Sequence, residues 1–245
     1  MKFIRTSYCF FIVGLAAVFL FPAALVLFVA SLIGFRAAAS QAMFKIAKYA
    51  SKLILFCAGC KIIVSGTENI PQKTREGTGL CFVCNHSGIA DILLMFIAVN
   101  RPFGFIAKKE ILFVPFINLW LVLLGGLFID RNNPRKSLAT LKIGMQKIKD
   151  GLSIAIFPEG TRSRGRGILP FKSGSFQIAL ESGADIVPVA LSGSYELFEK
   201  TRWVIPVPLS VSFGKAIKTR PENEGGRRFY SDKAHGEIAS LLPSR

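Results

Sequence analysis

His86 and Asp91 are separated by four residues in the stretch Asn85-His86-Ser87-Gly88-Ile89-Ala90-Asp91. A histidine with an acid to orient it is the minimum equipment for general-base catalysis. The chain holds only two histidines, so the placement of this one carries weight. On one continuous helix, positions five apart are separated by about 140° and do not meet. Across a strand-to-helix turn they can. Residues 80–84 have the length and apolar content of a buried strand, residues 85–88 are turn formers, and residues 89–99 read as an apolar helix with Asp91 in its first turn. Asp91 could then reach back to the imidazole. The same residues would also serve as plain helix caps, so the pair needs support from elsewhere in the chain.

That support comes from polar residues that follow other strand-like segments. Lys108 follows residues 103–107, Asp130-Arg131 follows residues 127–129, and Pro158-Glu159-Gly160-Thr161-Arg162-Ser163 follows residues 153–157. Arg131 and Arg162 could hold a phosphate through paired hydrogen bonds, and Gly160 would let the backbone approach such a ligand closely. An arginine at any one of these places could equally be a surface charge. That alternative is weakest for Arg162, which comes directly after a buried strand. There is no Gly-x-Ser-x-Gly elbow; Lys172-Ser173-Gly174-Ser175 and Leu191-Ser192-Gly193-Ser194 do not fit it. Neither a Walker loop nor a dinucleotide-binding glycine pattern is present. A base with its orienting acid, several cations and no activated nucleophile point to direct transfer onto a hydroxyl.

The elements that must position these residues alternate. Strands are expected near residues 60–65, 80–84, 103–107, 127–129, 153–157, 186–191 and 209–213, and helices over 89–99, 137–149, within 172–182 and around 232–242. Residues 70–77 read as a polar loop. The pattern predicts an α/β domain with helices covering a largely parallel sheet. If the strands are parallel neighbours, His86, Lys108, Arg131 and residues 159–162 share the rim where ligands gather in such sheets. Pro188 suggests an edge or irregular position for its strand. His235 reads as a surface residue.

Composition sets the environment. The 245 residues are 51% hydrophobic and carry a net charge of +16, with a mean hydropathy of +0.45. Apolar content together with basicity suits an anionic surface, either lipid or nucleic acid. No aromatic-basic recognition motif is present, so nucleic acid is not the expected partner. Cys57-x2-Cys60 and Cys81-x2-Cys84 have zinc-like spacing. However, Cys81 and Cys84 lie three apart on one strand and should point to opposite faces, so no metal is expected.

The first 56 residues read as a membrane anchor. Residues 8–35 carry no charge, and about 20 apolar residues suffice to cross a bilayer. Pro22 should split the run, giving a kinked span, a hairpin dipping into one leaflet, or a signal peptide, the last disfavoured by length. Basic residues on both flanks favour a hairpin with both ends on the cytoplasmic side. Residues 38–56 form an amphipathic helix with Lys45, Lys48 and Lys52 on one face, a membrane-surface pattern. Residues 114–128 read as a buried or interfacial helix, too short for a span. Two domains are expected: an anchor over residues 1–56 and an α/β domain over residues 57–245.

Four ordered blocks now carry a resemblance: His86-x4-Asp91; Gly126-Leu127-Phe128-Ile129-Asp130-Arg131; Phe157-Pro158-Glu159-Gly160-Thr161-Arg162-Ser163; and Ile186-Val187-Pro188-Val189. Together they resemble the glycerolipid acyltransferase family, nearest the bacterial 1-acyl-sn-glycerol-3-phosphate acyltransferases, over roughly residues 60–215. Lys108-Lys109-Glu110 also matches. The resemblance implies that His86 deprotonates the sn-2 hydroxyl of lysophosphatidate and Asp91 orients it. The alkoxide would then attack the thioester of acyl-CoA or acyl carrier protein. Lys108, Arg131 and Arg162 would hold the phosphate, and Glu159, Gly160 and Thr161 would shape the acceptor site. No metal or redox cofactor is implied. The expected setting is the phospholipid bilayer of the cell inner membrane, with the site on the cytoplasmic side. Another lyso-lipid acceptor, such as a lyso-ornithine lipid, and a non-catalytic lipid-binding role remain as alternatives.

Overall fold

The computed structural model describes residues 1–72, 74, 77–219 and 226–243. Lys73, Arg75 and Glu76 of the expected polar loop lie outside the described residues. The chain begins with two long helices, α1 (Lys2–Leu32) and α2 (Arg36–Cys57). It then alternates through β1 (Lys61–Ser65), β2 (Cys81–Cys84), α3 (Ala90–Ala98), β3 (Phe103–Lys108), α4 (Ile117–Leu123), β4 (Leu127–Ile129), α5 (Pro134–Lys149), β5 (Ser153–Ile156), α6 (Gln177–Ser182) and β6 (Ile186–Ser192). It ends with α7 (Ser194–Leu197), β7 (Pro208–Phe213) and α8 (Gly226–Leu241).

The seven strands form one sheet in the order β1-β7-β6-β2-β5-β3-β4. All pairs are parallel except β6 with β7. This is the α/β architecture with a largely parallel sheet that the alternation predicts. β2 sits at its centre, and all four of its residues are buried. That is the expected state of a strand covered on both faces.

Two apolar layers sandwich the sheet. On one face, Phe82, Cys84, Phe103, Phe105, Ala155 and Val187 meet α2, α3 and α4. On the other, Cys81, Val83, Ile154 and Ile186 meet α5, α6 and α8. Cys81 and Cys84 therefore face opposite ways, as strand alternation requires. Asn85 continues the pairing past the end of β2. Its side-chain amide donates to the Leu191 carbonyl at 2.9 Å and accepts from the Leu191 amide at 2.8 Å.

Two expectations, for Pro22 and His235, need correcting, and the one for Pro188 is narrowed to its irregular alternative. Pro22 does not divide the first apolar run: α1 continues through it for 31 residues, about 46 Å, and the chain reverses only at residues 33–35. Pro188 lies in an interior strand rather than at an edge. Its carbonyl accepts from Gly214 at 2.9 Å. The pairing there slips by one residue, from Val189↔Phe213 to Ile186↔Ile217, so the missing N–H falls at a bulge. His235 is half-buried, with its ring against Phe171 at 4.9 Å.

Residues 1–56 pack closely on the rest. Met43, Phe44, Ala47 and Leu55 of α2 are buried in the shared core. Lys48, at the middle of the expected basic face, donates to the Val99 carbonyl at 3.1 Å, while Lys45 and Lys52 remain exposed. α1 touches the domain through Thr6, which accepts from the Val204 amide at 2.9 Å, and through Phe21 on Phe116 at 4.9 Å. Most of its apolar surface is bare, with Phe11, Val18, Phe19 and Val26 each about two-thirds exposed. The expected helix over 114–128 is shorter, Ile117–Leu123. It is flanked by Phe113, which is 81% exposed.

Asn85→Ala leaves both main-chain groups of Leu191 buried and unpaired, and should cost about 2 kcal/mol. A thermal or denaturant midpoint in detergent would measure it.

Candidate active site

Five strand ends, those of β2 to β6, open onto one rim. After β2, the turn at residues 85–89 wraps around the first turn of α3, and Asp91 is drawn into it. The Asp91 carboxylate is fully buried, a placement that is costly unless its oxygens are satisfied. One oxygen, Oδ2, accepts from the Ser87 amide at 2.7 Å and the Gly88 amide at 3.0 Å. It also receives His86 Nδ1 at 2.8 Å. The other, Oδ1, accepts from the Ser194 hydroxyl, which also meets the Ser87 hydroxyl at 2.7 Å. With Nδ1 committed to Asp91, His86 presents Nε2 as its free basic nitrogen.

The imidazole is held from below as well. It stacks on Phe157 with ring centroids 4.1 Å apart, and Phe157 stacks in turn on Phe105 at 5.9 Å. These three rings run across the ends of β2, β5 and β3 on the face covered by α2 to α4. The His86 main chain is fastened on both sides. Its amide donates to Glu159 Oε1 at 2.7 Å, and its carbonyl accepts from the Ser163 amide at 2.7 Å.

Glu159 therefore has a different place from the one expected. It is buried, and its carboxylate is turned to main-chain donors, the His86 amide and the Leu169 amide at 3.3 Å. Burial pushes its pKa up to about 7 against the lowering effect of those two amides, and the nearby Asp91 carboxylate adds to the rise. Gly160 adopts a left-handed conformation, φ +72°, and its carbonyl accepts from Arg131. A Cβ at Gly160 would lie 2.8 Å from Lys172 Nζ. Two cations thus flank this glycine. Thr161 is exposed at the loop surface. Arg162 donates to Glu199 Oε1 at 2.8 Å, and the same oxygen receives the Ile89 amide at 2.8 Å. Arg162 is thereby tied to the turn that carries His86.

The rim brings together His86, Asp91, Glu159, Gly160, Arg131 and Arg162. It does not bring in Lys108. Phe103 and Phe105 face the His86 side and Ile106 the other, so alternation sends Lys108 to the opposite face. There it pairs with Glu110 at 3.1 Å, while Lys109 pairs with Asp130 at 2.9 Å. Ser194, Glu199, Phe157 and Lys172 are contributors that the sequence pattern does not single out. Ser194 follows β6 on the same rim, which is a signal of place, but Ser-Gly-Ser reads there only as a failed nucleophile motif.

The raised pKa of Glu159 has a definite sign in stability. Between about pH 4.5 and 7 the folded protein holds a proton that the unfolded chain releases, so stability falls as pH rises through that window. Glu159→Gln should flatten this slope by roughly 1–3 kcal/mol, read as the difference in unfolding midpoints between pH 5 and pH 7.5.

The acyltransferase family profile matches residues 61–192, a stretch that contains all four sequence blocks. Similar curated proteins include 1-acyl-sn-glycerol-3-phosphate acyltransferases from Borreliella burgdorferi, 38% identical over 61% of this chain and 58% of that protein, and from Cocos nucifera, 32% identical over 78% and 61%. The protein of that name from Escherichia coli is 41% identical over 50% of each. The matched stretches thus span between 50% and 61% of these relatives' lengths. The crystal structure of the 1-acyl-sn-glycerophosphate acyltransferase PlsC from Thermotoga maritima superposes with a TM-score of 0.80 at 26% identity, covering 100% of this chain and 98% of that one. With the profile covering more than half of its residues and the first three blocks meeting on one rim, the chain belongs to the acyltransferase family.

Proposed function

We propose that the protein transfers a fatty acyl group from an acyl thioester, acyl-CoA or acyl carrier protein, to the sn-2 hydroxyl of 1-acyl-sn-glycerol-3-phosphate, giving phosphatidic acid. The observation that carries this reading is the His86–Asp91 contact at 2.8 Å, with Asp91 buried and Nε2 left free. The names of the similar proteins supply the acceptor.

In this mechanism Nε2 of His86 takes the hydroxyl proton as the acceptor oxygen bonds to the thioester carbon. The tetrahedral oxyanion then collapses, the C–S bond breaks, and the imidazolium returns its proton to the leaving thiolate. Asp91 stabilises the transient cation and keeps the ring in the productive tautomer. The reaction balances without a metal or redox cofactor. Arg131 and Lys172, on either side of Gly160, offer cations for the acceptor phosphate. Arg162 retains donors beyond the one given to Glu199.

We also read residues 1–56 as the membrane anchor of the α/β domain formed by residues 57–245. The exposed apolar face of α1 and the bare side chains around α4 would rest in the bilayer of the inner membrane, with the rim on its cytoplasmic side. Both substrate classes are then within reach: a lipid acceptor in the bilayer and a thioester donor in water.

His86→Ala should lower thiol release from palmitoyl-CoA with lysophosphatidate by at least a thousandfold, in a protein that still folds but has a lowered unfolding midpoint because Asp91 loses a donor. Asp91→Asn should lose a hundredfold or more. Thiol release by His86→Ala at the wild-type rate would remove His86 from the mechanism. Wild-type protein that bound lysophosphatidate without releasing thiol from either palmitoyl-CoA or palmitoyl-acyl carrier protein would leave lipid binding as the function. Phe11→Glu/Val18→Glu/Val26→Glu should abolish co-flotation with phospholipid vesicles while activity in mixed micelles persists. Flotation of that variant like wild type would refute the placement of α1.

A further inference from the structure

The two faces of the sheet differ in what their helices show to the outside. α1 and α4, on the His86 side, expose bulky apolar residues. α5, on the other side, exposes charge. Its Gly144, Met145 and Ile148 are buried against the sheet. Its outward face carries Arg135, Lys142 and Lys149, spaced seven residues apart. Seven residues are nearly two full turns, so the three cations form one stripe about 21 Å long. None of them has an ion-pair partner among the described residues. From residue 131 to 150 the only acid is Asp150, and it accepts a hydrogen bond from Gln146 at 2.9 Å. Beside the stripe, Leu138 is 40% exposed, and Ile143, roughly 100° around the helix from Lys142, is 56% exposed. Lys147, by contrast, is turned inward and donates to the Gly125 carbonyl at 2.8 Å.

An uncompensated line of cations with apolar residues beside it complements an acidic amphipathic helix. Anionic lipid fits the stripe less well, because the apolar face that would enter a bilayer lies across the sheet. The stripe also starts at the rim. The first turn of α5 follows Arg131, the residue that holds Gly160, and three inter-strand spacings, about 14 Å, separate the ends of β4 and β2. A donor protein seated along α5 would need only a flexible prosthetic arm to bring its thioester to His86.

We infer that the outward face of α5, Arg135, Lys142 and Lys149 with Leu138 and Ile143, is the docking surface for an acidic acyl carrier protein that delivers the thioester. This inference rests on the acyl-transfer reading above and names the partner of that same site.

The test compares the full-length Arg135→Glu/Lys142→Glu/Lys149→Glu variant with wild type in mixed micelles containing lysophosphatidate. Palmitoyl-acyl carrier protein and palmitoyl-CoA serve as alternative donors. Binding of holo-acyl carrier protein and adsorption to phosphatidylglycerol vesicles are measured alongside. The variant should lose at least tenfold in kcat/KM with the carrier-protein donor and at least tenfold in carrier-protein binding. It should stay within twofold with palmitoyl-CoA. Equal losses with both donors, no loss with either, or a wild type that neither binds nor uses the carrier protein would overturn the inference. So would loss of vesicle adsorption with carrier-protein binding intact, which would make the stripe a lipid contact. If wild type used neither donor, the acyl-transfer reading would fail. Carrier-protein binding, and its loss in the variant, would still decide the surface.

Discussion

A carboxylate with no exposure to water organises this protein. Asp91 can be buried only because four donors converge on it: two amides of the turn after β2, the Ser194 hydroxyl after β6 and the ring of His86. Removing any one leaves charge without compensation in a low-dielectric site. The ends of β2 and β6 and the start of α3 are thereby fixed relative to one another. The imidazole of His86 is positioned as a by-product of satisfying a buried ion. Close approach is part of the arrangement: a Cβ on Gly88 would lie 2.7 Å from the Ser194 main chain, so only glycine lets α7 come near enough.

The alternating elements were legible because each strand carries its own length and its own stop signal. The His86–Asp91 contact was legible for a related reason. A turn between strand and helix is the one local geometry that closes a five-residue spacing. Ser194 and Glu199 were not legible, because Ser194 lies 103 residues from Asp91 and Glu199 110 from Ile89; such contacts arise from the sheet order, which no local pattern encodes. Lys108 shows a different failure. Its place at a strand end could be read, but the face it leaves from depends on register, and a one-residue shift reverses it. Pro188 could be read as an edge or an irregular position, but a proline rule about missing donors does not choose between them; a bulge on the neighbouring strand absorbs the loss.

The anchor shows how a period can be right and its use incomplete. The lysines at positions 45, 48 and 52 do lie along one face of α2, yet the middle one is spent on the carbonyl that ends α3. Hydropathy sees α1 as a free apolar rod. In the fold, α1 is fastened near its start by Thr6 and midway by Phe21, while its flank remains bare. Taken together with the charged outer face of α5, the molecule has an oily side and an electropositive side, divided by the sheet whose rim holds His86.

The main chain of His86 is clasped twice by one loop, at its amide by Glu159 and at its carbonyl by Ser163. The segment that carries Glu159 and Ser163 and the residue that carries the imidazole are therefore coupled through their main chains. If that segment swings outward to admit a bulky lipid, the imidazole withdraws with it. The base regains its station only when the segment has settled back. In the proposed reaction, water entering such an opened cleft would meet no aligned proton acceptor, and this linkage would protect the thioester from hydrolysis without a separate gate.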